Sequence, residues 1–261
     1  MIAKESKERC EAALNEYTHS GISLRDLSIK YGIPRSFISG YILGKGIDIY
    51  SRKSHVNTEL FQCIDTEEKA YWLGMMFADG SIYWHATSYK IELTLKESDL
   101  EHLLKFKKFL DWDKEPKYRP NQKAYRVMFS CRKLAEDLMD LGCVRRKSLV
   151  LKFPTKVPDN LIRHFIRGYF DGDGCISVKH NVKSDVPVVS LLGTFEFLQR
   201  LTEVLKMEYT PIKKCKKNSS NTYYIRFKKE DTYKFLHYIY DDASIYLQRK
   251  YDKYQICRAF E

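Results

Sequence analysis

No run of the 261 residues is apolar over the roughly 18 positions that a helix needs to cross a bilayer. The opening residues, MIAKESKERCEAALNEY, hold no apolar stretch of the signal-peptide kind. Neither a membrane-spanning nor a secreted protein is expected, and the compartment implied is the cytoplasm or its nucleoid. Cysteine is sparse and badly placed for cross-linking. The seven residues, at 10, 63, 131, 143, 175, 215 and 257, are odd in number and widely spaced, with no C-x-x-C pair. That pattern excludes a disulfide or zinc framework and predicts reduced thiols. Acidic residues are also in deficit, 34 against 45 Lys and Arg, which leaves a formal charge of +11. A surface this positive favours a polyanion as partner, the alternative being a basic protein with no such partner. The apolar content is ordinary, so a packed core is available, and the length admits one large domain or two to three small ones.

The first 47 residues read as three short helices. RCEAALNEY carries Cys10, Ala13, Leu14 and Tyr17 on one stripe. In GISLRDLSIKYGIPRSFISGYILGKG, Ser23 and Asp26 have the spacing of a capping box, and Leu24, Leu27 and Tyr31 form a second stripe. Gly32 ends that helix and Pro34 opens the next, whose expected apolar stripe is Phe37, Ile38, Tyr41 and Ile42. A tight glycine-containing turn before a last short helix resembles a helix-turn-helix module. Arg35, Ser36 and Ser39 would then face DNA; the alternative is a small bundle that only packs on its neighbour. Residues 48–64, polar and weakly periodic, read as a linker.

Beyond residue 64 the text repeats. GMMFADG (74–80) returns as GYFDGDG (168–174), and each copy ends a helical stretch. Each is followed by strand-like text, a helix, alternating strands, another helix, and a basic segment, CVRRKSLVL or YLQRKYDKY. The chain is therefore expected to hold two α+β units of about a hundred residues each. The strands alternate with period two. Ile91, Leu93 and Leu95 oppose Lys90, Glu92, Thr94 and Lys96; Tyr125, Val127, Phe129 and Cys131 oppose Arg126, Met128, Ser130 and Arg132. Two sheets, apolar on one face and mostly basic on the other, suit a phosphate backbone.

Gly74 and Ala78 are four apart on one helix, as are Gly168 and Gly172 on the other. Small residues at this spacing let two helix backbones approach closely. Gly80 and Gly174 are expected to take the left-handed conformation that ends a helix. A single Asp-Gly is no more than a helix stop; two, on paired helices, bring Asp79 and Asp173 together. Two carboxylates at two negative helix ends call for divalent cations, and Mg²⁺ takes such hard oxygen ligands. The chemistry implied is metal-assisted phosphodiester cleavage.

At these residues the chain resembles the LAGLIDADG homing endonucleases: WLGMMFADG (72–80) and IRGYFDGDG (166–174) align with the nine-letter motif. The resemblance runs from about residue 65 to the end. It implies an α+β fold of two tandem, pseudo-twofold αββαββα repeats (65–153 and 154–261) with saddle-shaped antiparallel sheets, here preceded by the small all-α helix-turn-helix domain (1–47) and the linker (48–64). It implies a monomer that cleaves both strands of double-stranded DNA at a long asymmetric site. Two or three Mg²⁺ ions would be shared between Asp79 and Asp173, with the carbonyls of Ala78 and Gly172 as further ligands. Lys147 and Lys250 match the family's lysines near the scissile phosphates. Glu97 matches a polar position that helps hold metal or water, with Leu192 standing there in the second repeat. The earlier motif aspartate is present as Asp171 but is Phe77 in the first copy. Base contacts are expected from Lys90, Thr94, Arg126, Arg132, Lys179, Arg226 and Lys228. No Cys or Ser opens the chain and no His-Asn closes it, so a free-standing protein of a mobile element, intron- or phage-encoded, is expected in place of an intein. The alternative function is a non-catalytic nucleic-acid binder of the same fold, an RNA maturase or a transcription regulator.

Overall fold

Two units separate in the computed structural model, Met1–His55 and Val56–Glu261. The residues described are 2–20, 22, 24–47, 55–85, 88–144, 147–180, 185–215 and 221–259. The first unit consists of α1 (Ile2–Ser20), α2 (Leu24–Tyr31) and α3 (Arg35–Gly44). Cys10, Ala13, Tyr17, Leu27, Ile33, Ile38 and Ile42 form its core. Glu16 ties α1 to α2 by accepting from Lys30 Nζ at 2.6 Å and the Tyr31 hydroxyl at 2.7 Å. Gly32 turns the chain at φ +63°, where a side chain would be strained. Phe37 departs from its expected place: it is 64% exposed. Ile38 and Ile42, four apart, set the buried face of α3, and Phe37 lies about 100° round the helix from Ile38. Ser23, the expected cap of α2, lies outside the described residues.

The second unit begins earlier than the linker reading allows. Leu60, Phe61 and Ile64 are buried in its core. Their apolar side chains are too few to show a period, yet they cover the packed side of the first repeat. That repeat runs α4 (Glu67–Ala78), β1 (Gly80–His85), β2 (Ser88–Lys96), α5 (Leu100–Phe109), β3 (Lys117–Arg119), β4 (Ala124–Ser130), α6 (Arg132–Asp140) and α7 (Lys147–Val150). The second runs α8 (Ile162–Asp173), β5 (Gly174–His180), β6 (Asp185–Gly193), α9 (Phe195–Leu205), β7 (Lys213–Lys214), β8 (Tyr223–Arg226), α10 (Lys229–Tyr240) and α11 (Gln248–Arg258). Each repeat makes one antiparallel four-stranded sheet, in the orders β1-β2-β4-β3 and β5-β6-β8-β7. Ile91, Leu93 and Val127 point to one core face, as do Val189, Leu191 and Ile225 in the second sheet.

The two motif helices lie against each other at the centre. Thr66 caps α4 by accepting from the Lys69 N–H at 3.2 Å, and Glu67 and Glu68 follow in the first turn, where the helix dipole favours them. Residues 70–77 of α4 are all buried. A Cβ on Gly74 would lie 2.1 Å from the Phe165 carbonyl oxygen, and one on Gly168 would lie 1.9 Å from that of Tyr71. The backbones therefore touch, and only glycine fits at either crossing. Gly80 and Gly174 are small for another reason. Among the described residues only Gly32, Gly46 and Gly142 are glycines of positive φ, and Gly174 is extended at φ −86°, ψ 162°. Each helix passes straight into a strand, and a Cβ at either glycine would strike the last turn, 2.5 Å from Met76 Cε and 2.1 Å from Phe170 Cδ2.

The mismatch between Asp171 and Phe77 resolves as an exchange across this interface. Fully buried Asp171 accepts from the Tyr71 hydroxyl at 2.7 Å, the Tyr240 hydroxyl at 2.5 Å and the Leu247 N–H at 2.7 Å. At the twofold-related place Phe77 packs edge-on against Phe165 with ring centroids 5.1 Å apart. One side of the crossing is closed by a hydrogen bond and the other by two rings.

Gly168→Ala is expected to lower the stability of the second unit by about 3 kcal/mol or more, since backbone atoms stand in the way of the methyl group. Gly40, inside α3 with nothing within 4 Å of an added Cβ, serves as the contrast: Gly40→Ala should stabilise its helix by about 0.5–1 kcal/mol. Urea titrations read by tryptophan fluorescence for the second unit, whose Trp72, Trp84 and Trp112 are the chain's only tryptophans, and by circular dichroism for the first, measure both. An unchanged midpoint for Gly168→Ala would contradict the close helix contact.

Candidate active site

Asp79 stands immediately after the last residue of α4, and Asp173 is the last residue of α8. Because the helices cross through their glycines, these ends meet. A Cβ on Gly172 would fall 2.2 Å from the Ala78 methyl and 3.1 Å from Asp79 Oδ2. Asp79 keeps an exposed surface and Asp173 is half-buried, but loss of hydration among the surrounding protein atoms raises both carboxyls above their ordinary range. Asp173 is pushed up to about 6, by this desolvation first and by the charge of Asp79 second, with Lys147 and Lys250 opposing. Asp79 moves in the same direction, its desolvation opposed by Lys147, Lys250 and Arg249.

The two lysines are bound to the helix ends themselves. Lys147 Nζ donates to the carbonyls of Met76 at 2.8 Å and Ala78 at 2.5 Å. Lys250 Nζ donates to those of Phe170 at 2.5 Å, Gly172 at 3.3 Å and Gly174 at 2.6 Å. Met76 and Ala78 occupy the same motif positions as Phe170 and Gly172, so the lysines are related by the pseudo-twofold. The physical reason is general: the last carbonyls of a helix lack intrahelical partners, and its negative end attracts a cation. Burial lowers both ammonium pKa values, that of Lys250 to about 8. The carbonyls of Ala78 and Gly172 thus already serve as acceptors for lysine.

Three neighbours escaped the reading of the sequence. Tyr169 donates to the Leu192 carbonyl at 3.0 Å, and its hydroxyl lies close enough to Asp173 to oppose the carboxyl's upward shift. Its counterpart in the first motif is Met75, so only the second aspartate has a phenol beside it. Asp99, 6% exposed, pairs with Arg249 Nε at 3.0 Å and joins α11 to the corner after β2. Both charges act on Asp79. The tyrosine inside one motif copy, and the arginine directly before Lys250, were the available signals. A cavity of about 120 Å³ opens beside Asp173 and Lys147, walled by Tyr169, Leu192, Thr194 and Thr222 among others. That is room for several ordered waters.

The remaining expected residues separate into those near this centre and those far from it. Lys90, Thr94 and Arg126 lie on the outer face of the first sheet, where Arg126 Nη1 pairs with Glu92 at 3.1 Å. Lys179 and Arg226 are exposed on the second sheet, with Arg226 over the Tyr224 ring. Arg132 and Lys228 are not on a sheet face. Their strands end at Ser130 and Arg226; Arg132 opens α6 and pairs with Glu136, and Lys228 precedes α10. Glu97 sits past the end of β2 in a 3-10 turn, bonded by the Tyr118 hydroxyl at 2.9 Å. The strand registers also correct its partner. Gly80 pairs with Leu93 and Gly174 with Leu191, so Leu192 corresponds to Thr94 and Glu97 to Phe195. In the separate first unit, Arg35 and Ser36 are exposed and Ser39 is half-buried. Among the described residues no three His, Cys, Asp or Glu side chains cluster as a metal-holding group, and no helix is long and apolar enough to cross a membrane.

The raised carboxyl has a measurable consequence. Between its ordinary 3.8 and about 6, the folded chain keeps a proton on Asp173 that the unfolded chain has lost. Stability therefore falls as pH rises through that window, by about 3 kcal/mol from this group. With a chelator present, the difference in unfolding free energy between pH 4 and pH 7 should shift by that amount in Asp173→Asn. Parallel pH profiles for the two proteins would refute the assignment.

Comparison with known proteins places this architecture. Residues 160–240 match the family model described as a LAGLIDADG-like domain, and residues 68–141 match the WhiA LAGLIDADG-like domain. Among solved structures, the LAGLIDADG meganuclease I-AabMI bound to uncleaved DNA aligns over 75% of this chain and 90% of its own, with a TM-score of 0.54 and 13% identity. The I-SmaMI LAGLIDADG homing endonuclease bound to cleaved DNA aligns over 75% and 89%, with a TM-score of 0.51 and 14% identity. At such identities the likeness is one of fold. No curated protein matches the chain in sequence. Two motif helices, two matching sheets and two family matches in tandem make this chain a two-repeat member of the LAGLIDADG family.

Proposed function

We propose that the chain is a site-specific endonuclease that uses divalent metal to cleave both strands of double-stranded DNA. The observation that carries this reading is the pair of motif aspartates at adjoining helix ends, Asp173 half-buried and Asp79 open to solvent, each raised in pKa and each flanked by a lysine held on its own helix end. The fit to Mg²⁺ rests on the donor set: two carboxylates in contact with each other's charge, hard oxygen ligands only, and an electrostatic cost that a dication removes. Asp79 and Asp173 would hold the metal. When bound, it supplies charge neutralisation at the phosphate and a more acidic water. Lys147 and Lys250, fixed by carbonyls and not free to swing away, place positive charge where a scissile phosphate becomes more negative. Tyr169 orients the Asp173 carboxyl. Both carboxylates come from one chain, so one copy suffices.

The outer sheet faces, with Lys90, Arg126, Lys179 and Arg226, suit the major groove, and the relatives of like fold were solved on DNA. In this reading the first unit adds a second DNA contact through Arg35, Ser36 and Ser39 of α3, as a helix-turn-helix does. One finding favours the other reading, a DNA-binding regulator that does not cut: the first repeat matches the WhiA LAGLIDADG-like model.

A plasmid library carrying randomised targets, incubated with Mg²⁺ and read by sequencing the ends, distinguishes them. Wild type should give double-strand breaks at one long sequence, while Asp79→Asn and Asp173→Asn should each lower double-strand cleavage by at least about 100-fold yet keep binding. Specific binding with no break by wild type would instead establish the regulator.

A further inference from the structure

The two sheets share one topology but present different chemistry outward. Residues paired across antiparallel strands lie on the same face. In the first sheet the outward side of β2 is Ser88, Lys90, Glu92 and Thr94. The register places Val186, Val188, Ser190 and Leu192 of β6 at the same four places. Their inward neighbours, Pro187, Val189 and Leu191, are buried, so these side chains are not part of the core. Val186 is 38% exposed and Leu192 39% exposed. A strand carrying three aliphatic side chains on its open face would ordinarily invite a protein partner. Here the row is bordered by cations: Lys179 pairs with Val186, Arg226 with Ser190, and Lys213 with Tyr224, which in turn pairs with Leu192. An apolar protein surface would bury those charges without partners.

Duplex DNA satisfies both features. Its phosphates take the flanking cations, and the major groove offers one apolar group, the C5 methyl of thymine. Outward side chains on a strand recur about every 6.8 Å, close to twice the base-pair rise of about 3.4 Å, so each meets roughly every second base pair. Building on the endonuclease reading, we infer that the second repeat reads its half of the target through thymine methyl groups contacted by Val186, Val188 and Leu192, whereas the first repeat reads its half through polar contacts from Lys90, Thr94 and Arg126. The target is then asymmetric in kind as well as in sequence: a thymine-rich half under β6 and a half of mixed composition under β2.

The test uses the full chain with a chelator, so that strands stay intact. A duplex selected from a random library is rebuilt with deoxyuridine in place of thymine, one half at a time, removing only methyl groups. Val188→Ser with Leu192→Asn identifies the half under the second repeat, because only that half of the selected sequence should change. Deoxyuridine there should weaken binding about three- to fivefold per contacted thymine, and less than twofold in the other half. The doubly substituted protein should lose that sensitivity. Specific binding with equal deoxyuridine effects in both halves, or with no thymine preference under the second repeat, overturns this inference and leaves the DNA reading standing. Absence of any sequence preference overturns both.

Discussion

The contact of two helix backbones is the constraint from which the rest follows. With glycine at 74 and 168, carbonyl and amide atoms of one helix occupy the space where the other would carry a side chain. That approach fixes the helix ends to within a residue, and the ends carry Asp79 and Asp173. Nothing in the chemistry of two carboxylates favours their meeting; it is imposed by packing across a large aromatic and aliphatic core. Loss of hydration then raises both pKa values, the charge of Asp79 adds to the shift of Asp173, and the cost is offset by two lysines that satisfy the carbonyls left open at the same helix ends. Packing, helix termination and site electrostatics are thus one arrangement seen at three scales.

Pseudo-symmetry at the backbone level leaves the side chains free to differ. The interface closes on one side through Tyr71 and Asp171 and on the other through Phe165 and Phe77. Asp173 has a phenol beside it, while the corresponding neighbour of Asp79 is a methionine. The charges of the Asp99–Arg249 pair act on Asp79. The outward faces diverge furthest, one polar and charged, the other aliphatic with a basic margin. A fused pair of repeats can vary each half independently, because each sheet has its own core face and only the helix crossing must stay matched.

Where reading the sequence went astray, the cause is physical in each instance. Thirteen residues separate Gly80 from its partner Leu93, but seventeen separate Gly174 from Leu191. A reading that gives both hairpins nearly the same length therefore slips on the second strand and sets Glu97 against Leu192, three residues short of Phe195. Arg132 and Lys228 continue the alternation of their strands in text, yet the chain has already turned into a helix. Phe37 is apolar and near the stripe, but the helix period leaves it outside. Leu60, Phe61 and Ile64 carry no pattern at all and are buried only because a core lies beside them.

The sequence by itself determined the duplication, the inward and outward faces of the central strands, the small residues at the helix crossing, and the two aspartates with their two lysines. Each is a local property: a period, a size, or a position just after a motif. Tertiary structure alone decided which carbonyls the lysines bind, that Tyr169, Asp99 and Arg249 join the site, that Gly80 and Gly174 are small to clear a helix turn, and that the halves present unlike surfaces in register. These depend on hairpin lengths and on atoms far apart in the chain coming within a few ångströms, which no spacing along one strand encodes.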